Sequence, residues 1–162
     1  MVKAGVLTVS DKASKGQRKD ESGDAAVEIL EGQGLTVSVK EIIPDDQRLI
    51  EETLVEWVDK MGLSLIVTSG GTGLSPTDVT PQAMERIIDY QVPGMAEAMR
   101  AASLKKTVHA MISRAMVGVR GSCLIINLPG SPKGVSENLT VILPALKHAL
   151  SKLGGDTSDC AT

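Results

Sequence analysis

The run Thr68-Ser69-Gly70-Gly71-Thr72-Gly73-Leu74-Ser75-Pro76-Thr77-Asp78-Val79-Thr80-Pro81 follows an apolar stretch and combines clustered glycines, hydroxyls and one carboxylate. That combination suits a phosphate group. Glycines let backbone N–H groups approach an anion closely, hydroxyls add donors, and an aspartate can hold a divalent cation against phosphate oxygens. No Gly-Lys-Ser/Thr follows, and Pro76 stands where a dinucleotide fingerprint would end in glycine, so neither common nucleotide motif applies. A tight strand-to-helix turn would also use these glycines for positive φ, although the hydroxyls exceed what a turn needs. Asp78 reads either as a cation ligand or as a turn residue before a helix that Thr80 caps and Pro81 opens.

A second acidic pair, Asp45-Asp46, follows an alternating apolar segment. One of the two can cap the next helix. The other is then the second carboxylate that a magnesium-dependent phosphoryl or nucleotidyl transfer uses beside a phosphate loop. Pro129-Gly130-Ser131-Pro132-Lys133 repeats the logic with a close-approach glycine, a hydroxyl, a helix N-terminus and a cation. Ser131 as cap and Pro132 at the first helical position would also explain it structurally. Ser113-Arg114 and Arg120 offer cations for an acidic ligand, or simply solvated charge. His109 and His148 are too isolated to suggest zinc.

These residues need a scaffold, and 162 residues with 42% hydrophobic and 23% charged content fit one soluble domain, 1–154, followed by a small polar tail, 155–162, expected to fray. With no Phe, one Trp and one Tyr, the core must be aliphatic, which argues against aromatic base-stacking platforms. A formal net charge of -3 gives no overall basic field toward nucleic acid or anionic membranes. The N-terminal residues run straight into strand-like sequence without a signal-peptide layout, so a cytoplasmic location is expected. Cys123 reads as a packing residue, and Cys160 in the tail is too differently placed to suggest a disulfide.

The pattern predicts strands over 2–10, 35–43, 63–68 and 122–128. Helices are expected over 24–33, around the stripe Ile50, Leu54, Trp57, Val58 and Met61, from Pro81, over 95–104, and from 132 onward with a bend at Pro144. The polar stretch 11–23 reads as a mobile loop and 109–119 as a connection of undefined class. Strands alternating with helices predict a three-layer α/β/α sandwich with a mainly parallel, mixed central sheet. Ligands of such sheets sit beyond the carboxyl ends of the strands, where the loops at Asp11, Asp45, Gly70 and Pro129 should meet.

Val9-Ser10-Asp11, Ile43-Pro44-Asp45-Asp46, Ser69-Gly70-Gly71-Thr72-Gly73 with Asp78-Val79-Thr80-Pro81, Pro93-Gly94-Met95, Ser113-Arg114 and Asn127-Leu128-Pro129-Gly130-Ser131-Pro132 together resemble the MogA/MoaB family of molybdenum-cofactor biosynthesis proteins. The likeness spans nearly the whole chain, in order and spacing. It departs from some members in lacking a longer insertion before the last helix, and the loop from Lys15 is variable, which leaves MogA-type and MoaB-type assignments both open. The resemblance implies a molybdopterin-binding-domain fold and MgATP-dependent adenylylation of molybdopterin, with pyrophosphate released. It implies catalytic and magnesium roles for Asp45 and Asp78. It also implies substrate or nucleotide binding by Ser10, Asp11, Ser69, Gly70, Gly71, Thr72, Gly73, Ser113, Arg114, Asn127, Pro129, Gly130 and Ser131. A homotrimer and a hand-off to a molybdate-inserting enzyme are further implications. A noncatalytic pterin carrier, or another nucleotide-processing enzyme such as a pyrophosphatase, would be compatible with the same fold.

Overall fold

The computed structural model describes residues 2–159; Met1, Cys160 and the last two residues of the expected tail lie outside them. The elements are β1 (Lys3–Val9), α1 (Asp11–Ser14), α2 (Glu21–Gly32), β2 (Thr36–Ile43), α3 (Gln47–Asp59), β3 (Leu65–Ser69), α4 (Thr80–Ile87), β4 (Tyr90–Gln91), α5 (Pro93–Leu104), a 3-10 turn at Val108–Ile112, β5 (Val117–Arg120), β6 (Cys123–Leu128) and α6 (Pro132–Leu153). One sheet runs in the order β2-β1-β3-β6-β5-β4. β2, β1, β3 and β6 pair in parallel, while β5 is antiparallel to β6 and to β4.

Two apolar layers follow from the side-chain alternation of the central strands. Ala4, Val6, Leu65, Val67, Leu124 and Ile126 point to one side, where they meet buried residues of α2, α5 and α6 such as Leu30, Met99 and Leu139. Leu7, Ile66 and Ile125 point to the other, against Ile50, Leu54 and Trp57 of α3 and Met84 of α4. β1, β3 and β6 are therefore covered on both faces, which is why they read as continuous apolar runs. β2 alternates because it is an edge strand. Cys123 belongs to the second layer, and burial pushes its thiol up to about 12, as expected of a packing residue.

Several expectations need correction. The stretch 11–23 is not a featureless loop: Ser10 caps the short α1, and Asp20 caps α2, which starts three residues before the apolar spacing suggests. The segment 109–119 supplies most of a 3-10 turn and of strand β5. Neither short strand β4 nor the antiparallel β5 carries enough apolar periodicity to be read from sequence. Thr80 forms the first residue of α4 without a side-chain capping bond, its hydroxyl being buried under Gly71. Met61 is 41% exposed beyond the end of α3 rather than part of its inner stripe. α6 continues through Pro144, which sits in an exposed-side register of a helix held by Val135, Leu139, Ile142, Leu146 and Leu150.

The topology fixes where a ligand can enter. β1 lies between β2 and β3, and the crossover through α2 packs on one face of the sheet while that through α3 packs on the other. β1 connects toward one edge of the sheet and β3 toward the other, which opens a crevice beyond the carboxyl ends of these two neighbouring strands.

Candidate active site

The loop after β3 is built for close backbone approach. Gly70 has φ 100 and Gly71 φ 67, conformations that L side chains rarely adopt. A Cβ on Gly70 would lie 2.2 Å from the Val9 carbonyl oxygen, and one on Gly71 2.2 Å from Thr80 Oγ1. Asn127 secures the loop from below: its Nδ2 donates to Thr68 Oγ1 at 2.9 Å and to the Gly70 carbonyl at 3.2 Å. Arg114 secures it from outside, donating through Nε to the Gly73 carbonyl at 2.9 Å, through Nη2 to the Asp78 carbonyl at 2.6 Å and through Nη1 to Gln82. Its backbone N–H also donates to the Thr72 carbonyl. The guanidinium is thus occupied with loop carbonyls, and Asn127 is wholly buried beneath the loop.

The acidic pair after β2 resolves cleanly. Asp46 caps α3, its carboxylate accepting from the Leu49 N–H at 2.9 Å. Asp45 turns the other way. Its Oδ2 accepts from the Asp11 N–H at 2.9 Å while its own N–H donates to Asp11 Oδ1 at 3.0 Å, a reciprocal clamp joining the ends of β1 and β2. Asp11 is therefore engaged as the partner that orients Asp45. Burial raises the Asp45 pKa above its ordinary value; the Asp11 N–H bond opposes this, and the negative charges of Asp11 and Asp78 reinforce it. Asp78 carries a local duty as well, accepting from the Ser75 N–H at 3.0 Å.

Two adjoining cavities open at this edge. One, of about 450 Å³, is polar and brings together Ser10, Asp45, Ser69, Gly70, Gly71, Asp78, Gly130 and Ser131 of the sequence-derived set. The other, of about 360 Å³, lies between α5, the 3-10 turn and the start of α6, and takes Thr72, Gly73, Ser113, Pro129 and again Ser131. Ser131, which also caps α6 by accepting from the Gly134 N–H, is the shared wall. Asp11, Arg114 and Asn127 line neither cavity and act on the residues that do. Beneath the polar cavity the Ser69 hydroxyl is buried with no hydrogen-bond partner in the protein.

The donor set bears on a metal. Among the described residues no group of three or more His, Cys, Asp or Glu side chains gathers into a metal site. Asp45 and Asp78 nevertheless share one cavity, and the charge of Asp78 adds to the upward push on Asp45. Two carboxylates with incomplete coordination fit magnesium, which takes its remaining ligands from substrate phosphates and water.

Sequence reasoning missed Asp20. It lies on the wall of the polar cavity, 8% exposed, accepting from Thr8 Oγ1 at 2.9 Å and from the Gly23 N–H at 2.9 Å, with Lys40 Nζ at 3.2 Å. The Asp-Glu-Ser-Gly run carried a usable signal, since Asp three residues before a backbone donor is a helix cap. Arg100, Ser103 and Asn138 of the second cavity carried none, because they meet only when α5 packs on α6.

The family described as "Probable molybdopterin binding domain" matches residues 5–148. The chain is 41% identical over 154 residues to the molybdopterin adenylyltransferase of Helicobacter pylori (strain ATCC 700392 / 26695), covering 94% of this chain and 88% of that protein. It is 41% identical over 140 residues to the molybdopterin adenylyltransferase of Escherichia coli (strain K12), covering 85% and 72%. The crystal structure of the molybdopterin biosynthesis enzyme MoaB from Thermus thermophilus superposes with a TM-score of 0.91 at 49% identity, covering 96% of this chain and 98% of that one.

Proposed function

The chain belongs to the molybdopterin-binding-domain family that includes MoaB and the molybdopterin adenylyltransferases, and from that premise we propose that it adenylylates molybdopterin with MgATP. The observation that carries this reading is the convergence of Asp45 and Asp78 with the 69–71 loop and the 130–132 turn on one crevice.

In the proposed reaction an oxygen of molybdopterin's terminal phosphate attacks the α-phosphorus of ATP. The bond from that phosphorus to the oxygen bridging the α- and β-phosphates breaks, and its electron pair leaves with pyrophosphate. Magnesium held by Asp45 and Asp78 would supply charge neutralisation at the phosphate oxygens. The chain's own work is positioning. The Asp11 clamp fixes Asp45, and Asn127 and Arg114 fix the glycine loop whose backbone faces the phosphates. The second cavity, with Met99, Ala110, Ile112 and Pro129 beside Arg100 and Asn138, suits a flat heterocycle with polar edges, so it takes the pterin. Ser131 then marks where the two substrates meet.

The same reading places residues 1–154 as one functional unit in the cytoplasm, passing its product to a molybdate-inserting enzyme. Among the described residues no helix is long and apolar enough to cross a membrane. For a homotrimer, exposed Val108, Met111 and Ile112 offer apolar contact area. Incubation with molybdopterin and MgATP, followed by chromatographic assay for the adenylylated product, is the direct test. No product from the wild type, or full activity in Asp78→Ala, would overturn the assignment; tight pterin binding without turnover would make the chain a carrier.

A further inference from the structure

The lining of the polar cavity holds four carboxylates among the described residues, Asp20, Glu21, Asp45 and Asp78, against two cations, Arg18 and Lys19. Asp20 is compensated by Lys40, and one divalent ion would offset Asp45 and Asp78. An ion whose charge is already set against two carboxylates leaves most of the charge on an incoming nucleotide's phosphates without a counterpart. Arg18 and Lys19 can supply it. Both are exposed, and neither makes a hydrogen bond or an ion pair among the described residues. They sit in a loop anchored at both ends: the Gly16 and Gln17 N–H groups donate back to the carbonyls of Ala13 and Lys12, and Asp20 is fixed by Thr8 and the Gly23 N–H. Arg18 and Lys19 are therefore held over the crevice by a braced segment, free of hydrogen bonds and close ion pairs, with the charge of Lys19 felt at Asp24.

Their position also selects which phosphates they meet. Arg18 and Lys19 line the polar cavity but not the pterin-suited cavity, and Ser131 separates the two. Attack and departure at a transferring phosphorus are roughly in line. A nucleophile arriving past Ser131 thus drives the leaving group away from the second cavity, deeper along the polar one. We propose that Arg18 and Lys19 form a cationic rim that binds the β- and γ-phosphates of the nucleotide and holds the departing pyrophosphate, an inference that rests on the adenylylation reading for the identity of the leaving group. The rim lines the same cavity as the Gly70-Gly71 backbone, whose positive-φ glycines suit close approach of an anion.

The test compares wild type with the double variant Arg18→Ala/Lys19→Ala and the charge-preserving Arg18→Lys/Lys19→Arg. Calorimetry with magnesium pyrophosphate as probe should show about tenfold weaker binding in the alanine variant, and steady-state kinetics an ATP KM raised by about the same factor with the molybdopterin KM within about twofold. The salt dependence of pyrophosphate binding should flatten in the alanine variant and persist in the charge-preserving one. Both residues are exposed loop positions, and circular dichroism checks that the variants fold. Pyrophosphate binding unchanged in the alanine variant, or absent from the wild type, overturns the proposal. Wild type that binds pyrophosphate through these residues yet makes no adenylylated product upholds the rim and overturns the reaction assigned above.

Discussion

At the scale of the residue, Asp45 is the side chain in which the proposed function and stability oppose one another. Burial, and the charges of Asp11 and Asp78, raise its pKa above the ordinary 3.8. A carboxyl with a raised folded pKa binds its proton more tightly in the folded than in the unfolded chain. Its charge therefore costs stability at neutral pH, and the cost fades as pH falls through the raised value toward 3.8. Asp45→Asn keeps an acceptor for the Asp11 N–H but removes the charge. We expect it to melt at a higher temperature than wild type at pH 7, with the difference vanishing at acid pH, and to lose about 10²–10³-fold in adenylylation rate. Thermal melts across pH, with rates beside them, check both. A lower melting temperature at neutral pH would show that Asp45 is held there for structure.

At the scale of the element, the first turn of α2 is a wall of the crevice, and Asp20 holds it there. This carboxylate joins β1 through Thr8, α2 through the Gly23 N–H and β2 through Lys40. Burial pulls the Lys40 pKa down, but the hydrogen bonds to Asp24 and Asp20 outweigh it and keep the group above its usual 10.5. The stability this pair contributes is complete below pH 10.5 and is lost as pH rises through the raised value. Asp20→Ala removes a cap, a buried acceptor and a charge partner at once, and should cost about 2–4 kcal/mol in urea unfolding at neutral pH. Asp20→Asn should cost less, because the cap survives.

At the scale of the whole molecule, the metal and the fold should be separable. No cluster of three or more acidic, His or Cys ligands is present among the described residues, and the core is the two apolar layers flanking the sheet. Magnesium would come with the nucleotide rather than serve as a structural ion. Excess EDTA is therefore expected to abolish adenylylation while shifting the melting temperature by less than about 1 °C, since a ligand that does not bind the free protein cannot stabilise it. A large drop in melting temperature on chelation would reveal a structural metal.

The sequence by itself determined the layered fold, because buried parallel strands must read as apolar runs and their helices as one-sided stripes: 63–68 and 122–128 were legible for that reason. It also singled out Asp45, Asp78 and the two glycine-bearing loops, since turns, caps and phosphate contacts use local backbone chemistry. Capping chemistry alone left Asp45 and Asp46 open, because either carboxylate can cap a helix, and only the family resemblance pointed to Asp45; the structure shows Asp46 taking the cap while Asp45 clamps Asp11, 34 residues away. The sequence could not show that Arg114 and Asn127 brace the glycine loop rather than line the cavities, or that α5 and α6 enclose a second cavity. Those assignments depend on contacts between residues far apart in the chain, whose side-chain directions only the packing of layers on the sheet can set.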